Sequence, residues 1–412
     1  MSTRWRALQH RNFRLFFFGQ LASLIGTWMQ SAAQLWLVYR LKGSPVVLGL
    51  FGFANQIPIF FLAPLGGVVA DTRNRHTTLI WTQASAMVLA FVLAGLTLSG
   101  LVQVWHLILI AFLVGVVNAF DIPIRQAFLN DMVAKDDLMN AIALNSSIFH
   151  GGRVVGPAIA GFAIAAIGEG WCFFLNGMSF LAVIAALVAM RIPPHASAKQ
   201  QDASLKNLLE GFNYAVGDPP VRSVLLLIGL VSLVALPYTV LLPIFANTIL
   251  QGGSRGFGIL LSASGIGALT GALYFAGRQV YTGLARWIAV AAAICGVSLA
   301  AFSQSRIFWL SCVLLLIAGF SVTVQMAASN TVIQHRVPDA LRGRVMAIYA
   351  MMFMGMYPVG ALLAGAIAKR FGAPTTVGVG GILCVAAAAV FVLLVLLPIE
   401  RGREQEIGQT GR

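Results

Sequence analysis

The sequence predicts an all-α membrane protein of twelve transmembrane helices, arranged as two pseudo-symmetric six-helix halves with both termini in the cytoplasm. Three observations lead there. The 412 residues are 59% hydrophobic and only 10% charged, with a mean hydropathy of +0.86, where a soluble domain carries about 25% charged residues. Apolar runs of about 20 residues, each long enough to cross a bilayer, recur along the whole chain. The second half also repeats the first at a fixed spacing.

Breaking the runs at charge, Gly and Pro clusters places helices at 13–39, 45–70, 77–99, 103–124, 140–167 and 171–190, then at 221–248, 256–279, 285–303, 307–331, 343–368 and 374–398. The first run follows a basic stretch and is too long for a signal-peptide core, so it stays as a span. Cations crowd the ends assigned to the cytoplasm, among them Arg4, Arg6, Arg11, Arg14, Arg73, Arg75, Arg125, Arg191, Lys199, Arg278, Arg342, Arg344 and Arg401. The opposite ends keep Arg40, Lys42, Arg255, Arg306, Lys369 and Arg370. That bias sets the orientation. Residues 1–190 form the first half, 191–218 a cytoplasmic linker, 219–398 the second half and 399–412 a cytoplasmic tail. Within the linker Leu205, Leu208, Leu209 and Phe212 fall on one helical face, which predicts an amphipathic helix on the membrane surface. It reads as a connector between halves, with a partner-binding role as the alternative.

A shift of 204 positions aligns Gly115 with Gly319, Val133 with Val337, Gly151 with Gly355, Gly156 with Gly360, Gly161 with Gly365 and Gly168 with Gly372, without a gap. Such a match over two helices and their loop predicts homologous halves. Halves facing each other across a central cavity are the architecture of alternating-access carriers.

Other classes are excluded or disfavoured. Twelve spans leave no room for a fused globular enzyme domain. The formal charge of +14 belongs to helix ends, so it reports topology and not nucleic-acid binding. Cys172, Cys295, Cys312 and Cys384 lie inside apolar runs without ligand spacing, so they pack as small hydrophobes and no metal or cofactor is expected. A polytopic membrane enzyme would need clustered acids or histidines at an interface. The one candidate, Asp136-Asp137, more simply caps the fifth span.

Between spans two and three stands Gly66-Gly67-Val68-Val69-Ala70-Asp71-Thr72-Arg73-Asn74-Arg75, a tight turn with a carboxylate followed by guanidinium groups. It resembles the signature of the major facilitator superfamily, with Gly67, Asp71 and Arg75 at matching positions. Thr72 replaces a basic residue and Asn74 a Gly. The resemblance implies a gate in which Asp71 lies near the start of span eleven and Arg75 pairs with Asp121 of span four. The stretch Gly152-Arg153-Val154-Val155-Gly156-Pro157-Ala158-Ile159-Ala160-Gly161 resembles the antiporter motif of the superfamily's exporting branches, carried by Gly152, Gly156, Pro157 and Gly161. Small residues one turn apart permit close helix contact and Pro157 a bend, so plain packing is the competing reading. Asn12 to Phe16, Gly26 to Gln30 and Ser44 to Gly49 resemble the branch that contains the enterobactin exporter and related secretion and drug-efflux carriers.

Arg153 falls near the bilayer midplane, where an unneeded charge costs at least about 2.5 to 3.5 kcal/mol. Ser146, His150 and Arg153 share one face at helical spacing. Two readings stand. Arg153 receives an anionic or strongly polar substrate group, or it is satisfied by backbone carbonyls, Asn145 and neighbouring helices. Span one carries a polar stripe that includes Thr27, Gln30 and Gln34, span ten offers Gln325, and span eleven supplies Tyr349, Met352 and Tyr357. Stripe, cation and soft apolar surface suit an amphipathic substrate. The expectation is a monomeric secondary transporter of the bacterial cytoplasmic membrane that exports an amphipathic, anionic small molecule, a siderophore or drug, against proton entry. Asp121 is the favoured proton carrier and His150 the runner-up. A lysophospholipid mover and a carrier without proton coupling are the rivals within transport.

Overall fold

The computed structural model describes residues 3–191, 205–277 and 283–396. Arg278, the linker stretch 192–204 with Lys199, and the tail 399–412 lie outside the described residues. Every regular element among those described is a helix: α1 (Arg11–Lys42), α2 (Pro45–Thr72), α3 (Arg75–Leu98), α4 (Val104–Phe128), α5 (Leu138–Ile167), α6 (Glu169–Val188), α7 (Leu205–Gly217), α8 (Pro219–Ile249), α9 (Gly253–Ala276), α10 (Leu284–Gln304), α11 (Phe308–Arg336), α12 (Asp339–Phe371) and α13 (Ala373–Leu396), besides short 3-10 turns. Eleven of them, α2 to α6 and α8 to α13, are long and apolar enough to cross a membrane. The 32-residue α1 has the length, but its stripe of Gln and Ser lowers its hydropathy. The amphipathic linker helix forms as α7, on the surface that Asp218 and Arg336 join through hydrogen bonds of 2.9 Å.

Local chemistry starts and stops these helices. Asn74 caps α3, its Oδ1 accepting from the Thr77 amide at 3.0 Å, and Asp218 caps α8 in the same way from Val221 at 3.1 Å. Gly168 and Gly372, 204 positions apart, turn the chain into α6 and α13 with φ of 85° and 84°, a backbone that L side chains rarely adopt. The internal repeat is therefore visible as equal backbone geometry at aligned residues.

The chain divides into two compact units. The first comprises Met1–Gln201 with Leu242–Ser262, and the second Asp202–Leu241 with Ala263–Arg412. In hydrocarbon, apolar side chains gain nothing by leaving lipid for another helix, so close backbone approach at small residues sets which helices touch. Within the first unit α2 meets α4 at Gly66, where a Cβ would overlap the Ala119 carbonyl and crowd Pro123 at 2.9 Å. Gly67, the glycine the motif singles out, has open space around its Cβ position. In the same unit α5 meets α1 at Gly156, where a Cβ would stand 2.5 Å from Trp28 Cβ and 2.8 Å from the Ile25 carbonyl. Its repeat mate Gly360 packs on Leu233 and Pro237 of α8 within the second unit. All four cysteines are free and buried.

Gly66→Ala and Gly156→Ala should each lower the melting temperature of the purified protein by several degrees, since forcing atoms into a filled contact costs about 1 to 3 kcal/mol. Gly67→Ala should leave it unchanged. A thermal-unfolding series in detergent checks this, and equal losses at Gly66 and Gly67 would contradict the packing account.

Candidate functional site

The antiporter-like motif is a two-sided spacer. Gly152 and Gly156 turn toward α1, with Trp28 Cδ1 3.1 Å from a Cβ at Gly152. Gly161 turns toward the start of α9, where a Cβ would come 3.0 Å from Gly258 Cα and 2.8 Å from the Ser254 carbonyl, and the Pro157 carbonyl closes on Gly258. Two hydroxyls of α9 tie this contact: Ser262 Oγ donates to the Val154 carbonyl at 2.7 Å and Ser254 Oγ to that of Gly161 at 3.3 Å.

Because α5 lies so close to α1, Arg153 is delivered onto an aromatic ring. Its guanidinium carbon stands 5.9 Å from the centre of Trp28, within cation–π range, and Phe149 meets the same indole edge-on at 5.7 Å. Ser146, one turn before His150, is exposed on this face. The buried Nδ1 of His150 and Oδ1 of Asn145 have no hydrogen-bond partner among the described residues. Along α1, Thr27 donates to the Ser23 carbonyl of its own helix at 2.8 Å, and Gln30 Oε1 accepts from Asn176 Nδ2 of α6 at 2.8 Å. Gln34 is buried with its Nε2 unanswered. At the α1 end nearest α6, Arg40 grips the buried Glu169 through contacts of 2.9 and 3.0 Å.

The charged turn after α2 forms a second cluster in the first unit. Arg75 Nε donates to the Ala70 carbonyl at 2.8 Å, Nη1 reaches Asp131 Oδ1 at 3.2 Å, and Nη2 lies 3.7 Å from Asp71. Arg75 and Asp131 are 11% and 10% exposed against 63% for Asp71, so Asp131 is the stronger partner. The expected Arg75–Asp121 pair does not form. Asp121 takes Thr82 Oγ1 at 2.9 Å and Gln83 Nε2 at 2.7 Å from α3, and its second oxygen faces Arg125 Nε at 3.6 Å, one turn along α4 itself. Asp131, in the turn that ends α4, is the carboxylate to which Arg75 donates a hydrogen bond.

In the second unit Gln325 is 1% exposed and neither amide atom has a hydrogen-bond partner among the described residues. The same holds for the hydroxyls of Ser321 and Ser329, one turn to either side on the same face of α11. Tyr349 donates to the Met326 carbonyl at 3.1 Å and Tyr357 exchanges a hydrogen bond with Thr239 at 3.1 Å, so both phenols are held inside the unit. Met352 packs against Gly229 of α8. Trp28, Asn176, Thr82, Gln83 and Asp131 contact candidate residues and were not among the candidates drawn from the sequence.

A family model described as transmembrane secretion effector matches residues 2–407. The chain belongs to this family of the major facilitator superfamily. It is a multi-pass membrane transporter. Among its relatives, the staphyloferrin A transporter of Staphylococcus aureus (strain NCTC 8325 / PS 47) is 27% identical over 92% of this chain and 96% of that protein. The enterobactin exporter EntS of Escherichia coli O1:K1 / APEC is 25% identical over 96% of this chain and 94% of its own length. A solved bacterial homolog of the human lysosomal transporter Spinster, inward-facing and unoccupied, shares the fold with a TM-score of 0.74 at 14% identity, over 96% of this chain and 98% of that one.

Removing one partner of a buried ion pair strands the other charge, which costs about 3 to 5 kcal/mol. Arg75→Gln or Asp131→Asn alone should therefore lower the melting temperature clearly, and the double variant should lose less than the sum. Additive losses in this double-mutant cycle would show that the two side chains do not interact.

Proposed function

We propose that this transporter exports an anionic, amphipathic small molecule of the siderophore class across the bacterial cytoplasmic membrane, by alternating access and in exchange for protons. In this reading α1 is the twelfth span beside the eleven apolar helices, both termini are cytoplasmic and the protein works as a monomer. One observation carries the substrate assignment. Arg153 stands midway along the 30-residue α5, over the Trp28 ring, on the helix whose Asn145 and His150 each have a buried atom without a hydrogen-bond partner among the described residues. A guanidinium on an indole fits a ligand that brings both a flat apolar part and oxyanions. Kinship over nearly the whole length with a staphyloferrin A transporter and an enterobactin exporter points to the same ligand class. Gln34 in α1 adds an amide donor, and Gln325, Tyr349, Met352 and Tyr357 are the candidate contacts in the second unit.

Asp71 and Arg75, with Gly67 in the same turn, act as the gate, and Gly152, Gly156, Pro157 and Gly161 as the surface on which α5 moves. Asp121 is the proton carrier in this reading, with His150 as the alternative. Its partners come from α3 as well as from α4, so displacement of one helix along the other changes what the carboxylate touches.

Purified protein in proteoliposomes, offered enterobactin and staphyloferrin A separately, tests the proposal. At least one should accumulate with saturation and counterflow, and an imposed pH gradient should drive it. Arg153→Ala should weaken uptake about tenfold or more and Arg153→Lys should restore part of it, because Lys keeps the charge without the planar fork. Asp121→Asn should abolish the response to the gradient while exchange down a substrate gradient persists. Normal transport in Arg153→Ala would remove Arg153 from the site. Transport indifferent to the gradient would replace antiport with facilitated diffusion.

A further inference from the structure

A polar cavity lies away from Arg153, at the ends of two helices of the first unit. It opens where α1 begins and α6 ends, measures about 430 Å³, and is lined by His10, Arg11, Asn12, Met132 and Arg191. Asn12 builds it. Its Nδ2 donates to the Arg191 carbonyl at 2.9 Å and its Oδ1 accepts from the Arg191 amide at 3.3 Å, so one side chain clasps both faces of a backbone unit 179 positions away. That clasp brings the Arg191 side chain beside Arg11. The floor is firm, because Met132 is buried in a cluster with Ala7, Phe13, Phe128 and Leu129.

The charge around this cavity is unbalanced. His10 Nε2 bonds Asp137 at 2.9 Å, but Arg6 shares that carboxylate at 3.4 Å, so Asp137 is already matched. Among the described residues no carboxylate pairs with Arg11 or Arg191. Two guanidinium groups held around one space repel each other until an anion enters. Planar guanidinium forks suit phosphate oxygens in particular.

Depth decides which phosphate. Phe18, two turns beyond Arg11 on the same face of α1, is 58% exposed, and Val188, three residues before Arg191, is 66% exposed. Large apolar side chains left open on a membrane chain face acyl tails, so the cavity one to two turns beyond them lies at headgroup level. We propose that Arg11 and Arg191, positioned by Asn12, bind the phosphodiester headgroup of an anionic phospholipid whose tails run along Phe18 and Val188. The site does not rest on the proposed transport reaction, and its readout needs no transported substrate.

Thermal unfolding of the full-length protein in detergent tests it, with phosphatidylglycerol, zwitterionic phosphatidylcholine or inorganic phosphate added. Phosphatidylglycerol should raise the melting temperature by several degrees at concentrations where phosphatidylcholine does not. Arg11→Gln/Arg191→Gln should unfold at the wild-type temperature without lipid, since neither guanidinium makes an ion pair, and should need at least about fivefold more phosphatidylglycerol for the same shift. Arg14→Gln, which removes an exposed cation outside the cavity, should respond like wild type. Equal shifts from both lipids, an unaltered response in the double variant, or an equal loss in Arg14→Gln would overturn the site. A full shift with inorganic phosphate and none with phosphatidylglycerol would overturn the lipid assignment.

Discussion

Close contact between helices at glycine is the constraint on which the rest of the structure depends. A chain surrounded by lipid cannot use apolar burial to choose helix neighbours, so contact is won where a missing side chain lets backbones approach. Gly156 against Trp28 and Ile25 fixes α5 on α1, and that contact places Arg153 over the indole. Gly66 against Ala119 fixes α2 on α4 and so carries the turn after α2 to the end of α4, where Arg75 finds Asp131. The site and the charged turn are both consequences of glycine contacts.

Polar side chains inside the spans fall into two groups under the same physics. Gln30 with Asn176, and Asp121 with Thr82 and Gln83, form hydrogen bonds between helices of the first unit, while Arg125 faces Asp121 from one turn along the same helix. Gln34, Asn145, His150, Gln325 and Ser329 each have buried atoms without a hydrogen-bond partner among the described residues. An unpaired buried polar group costs about 1 to 3 kcal/mol. A transporter that must receive and release a polar ligand retains such groups, because a fully satisfied lining would have nothing to offer it.

The all-helical fold was legible in the sequence, since hydropathy marks the apolar spans, and the sequence also carries a 204-residue repeat. The structure returns that repeat as matching turns at Gly168 and Gly372 and as matching helix contacts at Gly156 and Gly360. Partner choice was not legible. Asp121 and Asp131 stand ten residues apart at one end of α4, about 15 Å along a helix, and sequence alone does not say which one Arg75 reaches. One signal was present: Arg125, at i+4 from Asp121, offers that carboxylate a partner on its own helix. Gly66 and Gly67 are equivalent on paper, and only the direction in which α2 turns separates the packed glycine from the open one. Trp28 stands in the sequence only within the Gly26 to Gln30 stretch that carries the family resemblance, and nothing in α1 says that Gly152 and Gly156 would face it.

The central claim is that the α5 face carrying Arg153 is where the substrate lies. Alkylation of Ser146→Cys measures this directly, because Ser146 is exposed on that face and the four native cysteines are buried and contribute little background. The labelling rate should fall several-fold at saturating concentrations of the siderophore transported in proteoliposomes, and a molecule that is not transported should leave it unchanged. An undiminished rate in a variant that still transports would place the substrate elsewhere and contradict the account.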